Sequence, residues 1–451
     1  MVNRIKSYFN EHLIVIAYFA FFLLALLPTI FSFFNRLGVF YKVGVLLLFT
    51  AFIVIYICKK RVQINYRYLS IPLTIFIVYG LYFLAVLPTY FTFVTPEYSY
   101  ISGTSITVAT SFKIRLNSII NVFNICYFAA LFLVVAPSLN LKTSDILLFA
   151  VLTSIITLAA CVYSIKGLKA TNYEIEGLTS FLNNKNTFGQ FLMVCIFECL
   201  LAFTICKKIY IKIAFSLLAL IFLLFVILSK SSTAIVLSLL IVGLSIIFLI
   251  LDNKKLKIFY KILILTAIGI IFAVVLVSPF IPFLAETKVG EIVKTLYDKA
   301  TSFTQKGFLE AFSGRGKSWA FGGYIIRPEY LMLGYGNATL EEILYRSTIS
   351  YFTTRELTNQ YLTIINAYGV IGSILYLLVF AYLFYKYFKS DHSISEWLLI
   401  LFLVFLIYGI FESLLLFESF SGSLLLTPLL VVPATYLKVE KKVRTSEETK
   451  K

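Results

Sequence analysis

The chain has 451 residues, of which 60% are hydrophobic and only 14% charged, with a formal net charge of +17. A soluble domain carries about 25% charged residues and a smaller apolar share, so this composition excludes a water-soluble globular protein and points to a chain solvated by lipid. The basic excess invites nucleic acid as a partner, but Lys and Arg stand in short tracts beside apolar runs. There they set topology and meet anionic headgroups, so membrane lipids are the expected partner and nucleic acid is not.

Apolar runs of spanning length occur at about 12–34, 39–58, 68–93, 118–136, 145–164, 188–206, 209–228, 233–251, 259–283, 361–387, 395–417 and 421–437. Each is long enough to cross ~30 Å of hydrocarbon as a helix, which predicts an all-α membrane protein with about twelve transmembrane helices. The first run is too long for a cleaved signal peptide and lacks a small-residue cleavage site. All six cysteines, Cys58, Cys126, Cys161, Cys195, Cys199 and Cys206, fall in apolar runs. They imply no disulfide framework. Cys195 and Cys199 are spaced i,i+4, but with no histidine nearby they read as small buried residues rather than a metal pair.

Orientation follows from the connections. Lys59, Lys60, Arg61 and Arg67, then Lys207, Lys208 and Lys212, then Lys254, Lys255, Lys257 and Lys261, lie on one side with the basic tail 438–451. Alternate connections are poorer in Lys and Arg. The richer set is cytoplasmic by the positive-inside rule, which puts both termini inside. The expected organisation is helices 1–9 in 1–283, a large external loop at 284–360, helices 10–12 in 361–437, and the cytoplasmic tail.

The external loop is patterned. Val289, Ile292, Val293, Leu296, Tyr297, Ala300 and Phe303 fall on one helical face, with Lys288, Glu291, Lys294, Asp298 and Lys299 on the other. This predicts a helix lying on the membrane surface. A second helical stretch is expected near 339–350. A long connection of this kind, without disulfides or repeats, is expected to serve function.

Chemistry on that side must do without histidine, since His12 and His392 both fall at cytoplasmic ends. The loop offers Arg315, Lys317, Arg327, Arg346 and Arg355 with Glu329, Glu341, Glu342 and Glu356. Arginine forks suit a phosphate or diphosphate, because they donate paired hydrogen bonds and stay charged. Glu412 and Glu418 flank the outer end of the eleventh run. A carboxylate among leucines is costly, so Glu412 reads either as functional or paired, or as a neutral acid bonded to a neighbouring helix. Glu198, deeper in the sixth run, reads as a structural hydrogen-bond partner.

Five short motifs then fall on the same side. They are Asn183-Asn184-Lys185-Asn186-Thr187-Phe188-Gly189, Ser229-Lys230-Ser231-Ser232-Thr233, Ser313-Gly314-Arg315-Gly316-Lys317-Ser318-Trp319, Gly334-Tyr335-Gly336-Asn337 and Thr358-Asn359-Gln360-Tyr361-Leu362. In order and spacing the set resembles the O-antigen ligase and Wzy-type polysaccharide polymerase superfamily. The resemblance implies a membrane glycosyltransferase acting on an undecaprenyl-diphosphate-linked saccharide. Arg315 matches the family's Gly-Arg arginine, Asn186 the asparagine before its Phe/Leu-Gly, and Asn359 that of its His-Asn motif. Two positions depart from the pattern. Thr358 stands where ligases carry histidine, and Ser232 stands where many members carry arginine, leaving Lys230 as the nearest cation. A threonine is a poor general base, which favours a polymerase over a ligase.

The expected function is therefore polymerisation of undecaprenyl-diphosphate-linked repeat units into an O-antigen, capsule or exopolysaccharide at the plasma (inner) membrane, with a chain-length regulator as a further partner. Arg315, Glu356 and Glu412 are the expected catalytic residues. Asn186, Lys230, Lys317, Arg327, Arg355, Asn359 and Glu418 are the expected substrate contacts. No cofactor and no metal is expected. A ligase moving a finished glycan onto a lipid or protein is the runner-up. From another class, the competitor is a lipid-linked oligosaccharide flippase, which would be expected to show repeat symmetry that the sequence lacks. The topology is testable by labelling single-cysteine variants of a cysteine-free chain in intact cells with an impermeant thiol reagent. Position Thr304 should label and Thr445 should not; the reverse pattern contradicts the orientation.

Overall fold

A long apolar segment in a medium without water has one economical backbone solution, the α-helix, because every N–H and C=O is then satisfied within its own segment. The computed structural model follows this rule. It describes residues 12–30, 32–62, 98–99, 105–106, 143–165, 177–180, 185–252, 257–264, 266–267, 286, 290, 293–294, 298, 315–326, 328–336, 340, 343–344, 357–388, 400, 403–404 and 406–412.

The helices with described bounds are α1 (Leu13–Ile30), α2 (Ser32–Lys60), α3 (Thr143–Ser164), α4 (Lys185–Ile205), α5 (Ile209–Leu228), α6 (Ser232–Asp252), α7 (Arg315–Tyr324), α8 (Pro328–Leu331) and α9 (Gln360–Phe388). The sequence reading expected helices alone. The structure adds one small antiparallel pair, β1 (Tyr98–Ser99) with β2 (Ser105–Ile106), in register Tyr98 to Ile106. Among the described residues, six helices are long and apolar enough to span a membrane, at Val43–Lys60, Ser144–Ser164, Lys185–Ile205, Ile209–Leu228, Ser232–Leu251 and Gln360–Leu378. They coincide with the second, fifth, sixth, seventh, eighth and tenth expected runs. The third, fourth and twelfth runs lie outside the described residues, and the ninth and eleventh are described only in part.

The core is built around α4, which is buried along most of its length, from Phe188 to Ala202. It packs against α3, α5 and α6. On α5, Phe215, Ala219, Phe222 and Val226 face inward, while Leu217, Leu220, Ile221 and Leu224 are exposed. A helix apolar on both faces with one face uncovered is what lipid selects. Polar groups inside the bundle are matched between helices. The Thr153 hydroxyl donates to the Glu198 carboxylate. Cys195 and Cys199 lie beside the Thr157 and Ser154 hydroxyls at 2.8 and 3.6 Å. At the start of α1, His12 Nδ1 sits 2.5 Å from Asp145 Oδ1, both buried. Glu198 thus has a hydrogen-bond partner on a neighbouring helix, as its sequence reading expected.

The connection before α9 joins the same core, through Phe321, Ile325, Tyr335, Leu340, Ile343 and Leu344. Residues 340, 343 and 344 are helical, as expected near 339–350. Of the expected surface helix, residues 290, 293, 294 and 298 are helical, with Lys294 and Asp298 exposed.

What fastens this connection is a break in α9. Gly369 has φ 64 and ψ −170, which interrupts the helical ladder. The freed carbonyls of Asn366 and Ala367 accept hydrogen bonds from the Tyr335 and Gly336 amides at 2.7 and 2.8 Å. In return, the Ile371 amide donates to the Met332 carbonyl at 3.3 Å. Asn366 reinforces the join by donating to the Gly322 carbonyl at 2.9 Å. Only glycine fits here, because a Cβ on Gly369 would lie 2.3 Å from the Met332 oxygen, at a positive φ. Gly369→Ala should therefore lower stability by about 2 kcal/mol or more, read as earlier thermal unfolding in detergent. Gly243→Ala, where a Cβ would meet nothing within 4 Å, is the silent control. Equal melting of the two variants contradicts this account of the break.

Candidate active site

The sequence reading placed Arg315 in a glycine-flanked loop. The structure instead places it in helix α7, followed by the buried Gly316. The small Gly322 lets α7 lie close to the start of α9. A Cβ on Gly322 would already touch the Leu357 and Leu362 side chains at 3.2–3.4 Å.

Arg315 donates through Nη2 to the Glu412 carboxylate, forming an ion pair between side chains only 17% and 12% exposed. Of the two sequence readings of Glu412, the structure supports the paired one. Among the described residues, Arg315 Nε has no hydrogen-bond partner. A guanidinium carries five N–H donors, so the pair occupies only part of the fork.

Glu412 is held at that place by the start of α9. Three consecutive residues grip the helical stretch 406–411. Asn359 Nδ2 donates to the Ile410 carbonyl at 2.9 Å. Gln360 lies against Gly409, where a Cβ would meet its Oε1 at 2.9 Å. The Tyr361 hydroxyl donates to the Leu406 carbonyl at 2.8 Å. Asn359 also caps α9, because its Oδ1 accepts the Leu362 amide three residues on at 3.0 Å. Both ends of its amide are thus engaged within the protein, and they tie the start of α9 to the segment that leads to Glu412. Neither this brace nor the contribution of Gln360 and Tyr361 was read from the sequence; the only available signal was three polar side chains in a row at the mouth of an apolar helix.

On the other flank, Trp319 follows Arg315 by one helical turn. Its indole N–H donates to the Thr358 carbonyl at 3.3 Å, and its ring lies 6.2 Å from that of Phe411. Thr358 itself has φ 48. A β-branched residue in that region is an outlier, with a cost of order 1–3 kcal/mol.

A second group joins two of the other expected contacts. The Ser231 hydroxyl donates to Asn186 Oδ1 at 3.0 Å. Gly189 lies against the same turn, where a Cβ would meet Ala234 at 2.7 Å and Ser231 at 3.1 Å. Lys230 forms the tip of the turn at φ 56. The Gly177 segment closes on the turn from outside, with the Leu178 amide donating to the Leu228 carbonyl. Lys317 projects from α7 and is exposed. Arg327, Arg355, Glu356 and Glu418 lie outside the described residues.

The cluster of Arg315, Trp319, Thr358, Phe411 and Glu412 therefore presents a cation, a carboxylate and two aromatic rings. Among the described residues, no group of three or more His, Cys, Asp and Glu is gathered to hold a metal ion. Residues 217–377 match the family model described as O-antigen ligase. The match takes in Lys230, Arg315, Thr358 and Asn359, while Asn186 and Glu412 fall beyond it. A search of curated proteins returns no match.

Proposed function

We propose that this multi-pass membrane protein, whose residues 217–377 match the family model described as O-antigen ligase, joins undecaprenyl-diphosphate-linked repeat units into a surface polysaccharide on the outer face of the plasma membrane. The observation that carries the reading is the Arg315–Glu412 pair, a fixed cation and a fixed carboxylate side by side in a largely buried site.

In the proposed reaction an acceptor hydroxyl attacks the anomeric carbon of the donor sugar. The bond from that carbon to the diphosphate oxygen breaks, and the lipid diphosphate leaves with the bonding electrons. Negative charge on the leaving diphosphate rises as the bond lengthens. Arg315 stabilises it, a fixed donor being worth more in the transition state than in the bound donor. Arg327, Arg355, Lys317 and Lys230 add positive charge around the diphosphate. The hydroxyl proton goes to a carboxylate, Glu412 or Glu356. Trp319 and Phe411 offer apolar faces on which a sugar ring can stack. No step calls on a metal.

The family's description as ligase favours a second reading, transfer of a finished glycan to a lipid or protein acceptor. Thr358 in the histidine position tells against it, since the hydroxyl of threonine does not accept a proton at neutral pH. Incubation of purified protein with a synthetic lipid-linked repeat unit separates the readings. A ladder of longer lipid-linked chains is expected, unchanged by chelator. Arg315→Ala should slow its formation roughly 100–1,000-fold, and Arg315→Lys should recover only part, because an ammonium lacks the fork. Product only with a separate acceptor would favour the ligase, and near-normal ladders from a well-folded Arg315→Ala would remove the residue from the mechanism.

A further inference from the structure

Two atoms of the cluster stand outside its hydrogen-bond network. Among the described residues, Arg315 Nε and Thr358 Oγ1 are both buried without a partner. Native proteins rarely leave such donors unmatched, and each one asks for an explanation. Thr358 carries a second anomaly in its positive φ, a conformation that a β-branched side chain seldom enters.

Neither anomaly is needed to build the helix. Asn359 caps α9 by itself, and glycine or asparagine at position 358 would meet the backbone geometry at lower cost. The surroundings nevertheless hold Thr358 in place. Trp319 bonds its carbonyl, and the next residue is tied to Ile410. Trp319 lies one turn along α7 from Arg315, while Phe411, its ring tilted against that of Trp319, precedes Glu412. Strain that its neighbours enforce, beside an unmatched hydroxyl, is the pattern of a residue kept for a ligand.

We propose that the Thr358 hydroxyl is a substrate contact, donating its hydrogen to a phosphoryl oxygen of the lipid-linked diphosphate that Arg315 Nε–H also binds. The inference rests on the diphosphate reading given above and assigns a further residue to it. A hydroxyl adds no charge and takes no proton, so Thr358 orients the diphosphate while Arg315 carries the charge. The same placement explains why histidine is dispensable at this position. Here the residue hands a hydrogen bond to the leaving group, and the proton of the acceptor goes to a carboxylate elsewhere.

The test is binding of an isoprenyl diphosphate to the full-length purified protein in detergent, with thermal unfolding measured alongside. Thr358→Ser keeps the hydroxyl and should bind like wild type. Thr358→Gly removes hydroxyl and strain together; it should melt no lower than wild type yet bind roughly 10–100-fold more weakly, the usual worth of a hydrogen bond to a charged group. Thr358→Val keeps the shape and the strain, loses only the hydroxyl, and should show the same loss of affinity. Undiminished affinity in Thr358→Val or in Thr358→Gly overturns the assignment while leaving the proposed function standing. A wild-type protein that does not bind the diphosphate overturns both.

Discussion

Taking an arginine and a glutamate out of water costs several kcal/mol per ion, and their mutual attraction offsets this only when the geometry is good and the remaining donors are met. Arg315 and Glu412 meet that cost at 17% and 12% exposure, with Arg315 Nε still unmatched. An apolar pair of similar volume would commonly be as stable or more so. The pair is therefore poorly explained as a device for stability. A fixed cation with Nε of its fork unmatched, in a site that water reaches only sparingly, is what the proposed reaction would use.

Much of the surrounding architecture follows from that requirement. The two partners come from segments 97 residues apart, so both must be docked on a common support. That support is α9. Its first residues, Asn359, Gln360 and Tyr361, grip the stretch that carries Glu412. About two turns further along, the break at Gly369 frees carbonyls that the Tyr335 and Gly336 amides take up. Through that join and the Asn366 bond to Gly322, the connection bearing Arg315 is fixed to the same helix. A single helix thus positions both charges, one by its capped end and the other by its broken middle.

The six spans seen among the described residues were legible in the sequence because lipid imposes a simple code, a long apolar run for each crossing. The run at 209–228 coincides with α5 as observed, Ile209–Leu228. Arg315 was legible as a candidate because a Gly-flanked arginine in a patterned loop is conspicuous. Its partner was legible only as a costly carboxylate, since nothing local to Glu412 names a residue so distant in the chain. Asn359 drew attention as a motif residue, but its engagement as cap and brace depends on where 406–412 docks, which no local pattern records. The helical state of Arg315 was missed for a related reason. Two glycines beside it disfavour a helix in isolation, and packing of α7 on α9 overrides that preference. The strain at Thr358 is invisible to sequence altogether, because a backbone angle is a tertiary outcome.

The most direct test of the central claim, that the pair serves to aim the Arg315 cation rather than to brace the fold, is an exchange of the two charges. Arg315→Glu and Glu412→Arg would be made singly and together, and each purified variant assayed for thermal unfolding and for elongation of a lipid-linked repeat unit. Each single variant faces like with like and should unfold early. The double variant restores an ion pair and should regain much of that stability, yet elongation should stay at the level of the singles, because the cation now sits on the wrong side of the pair. Elongation that returns together with stability would contradict the account and reduce the pair to a brace.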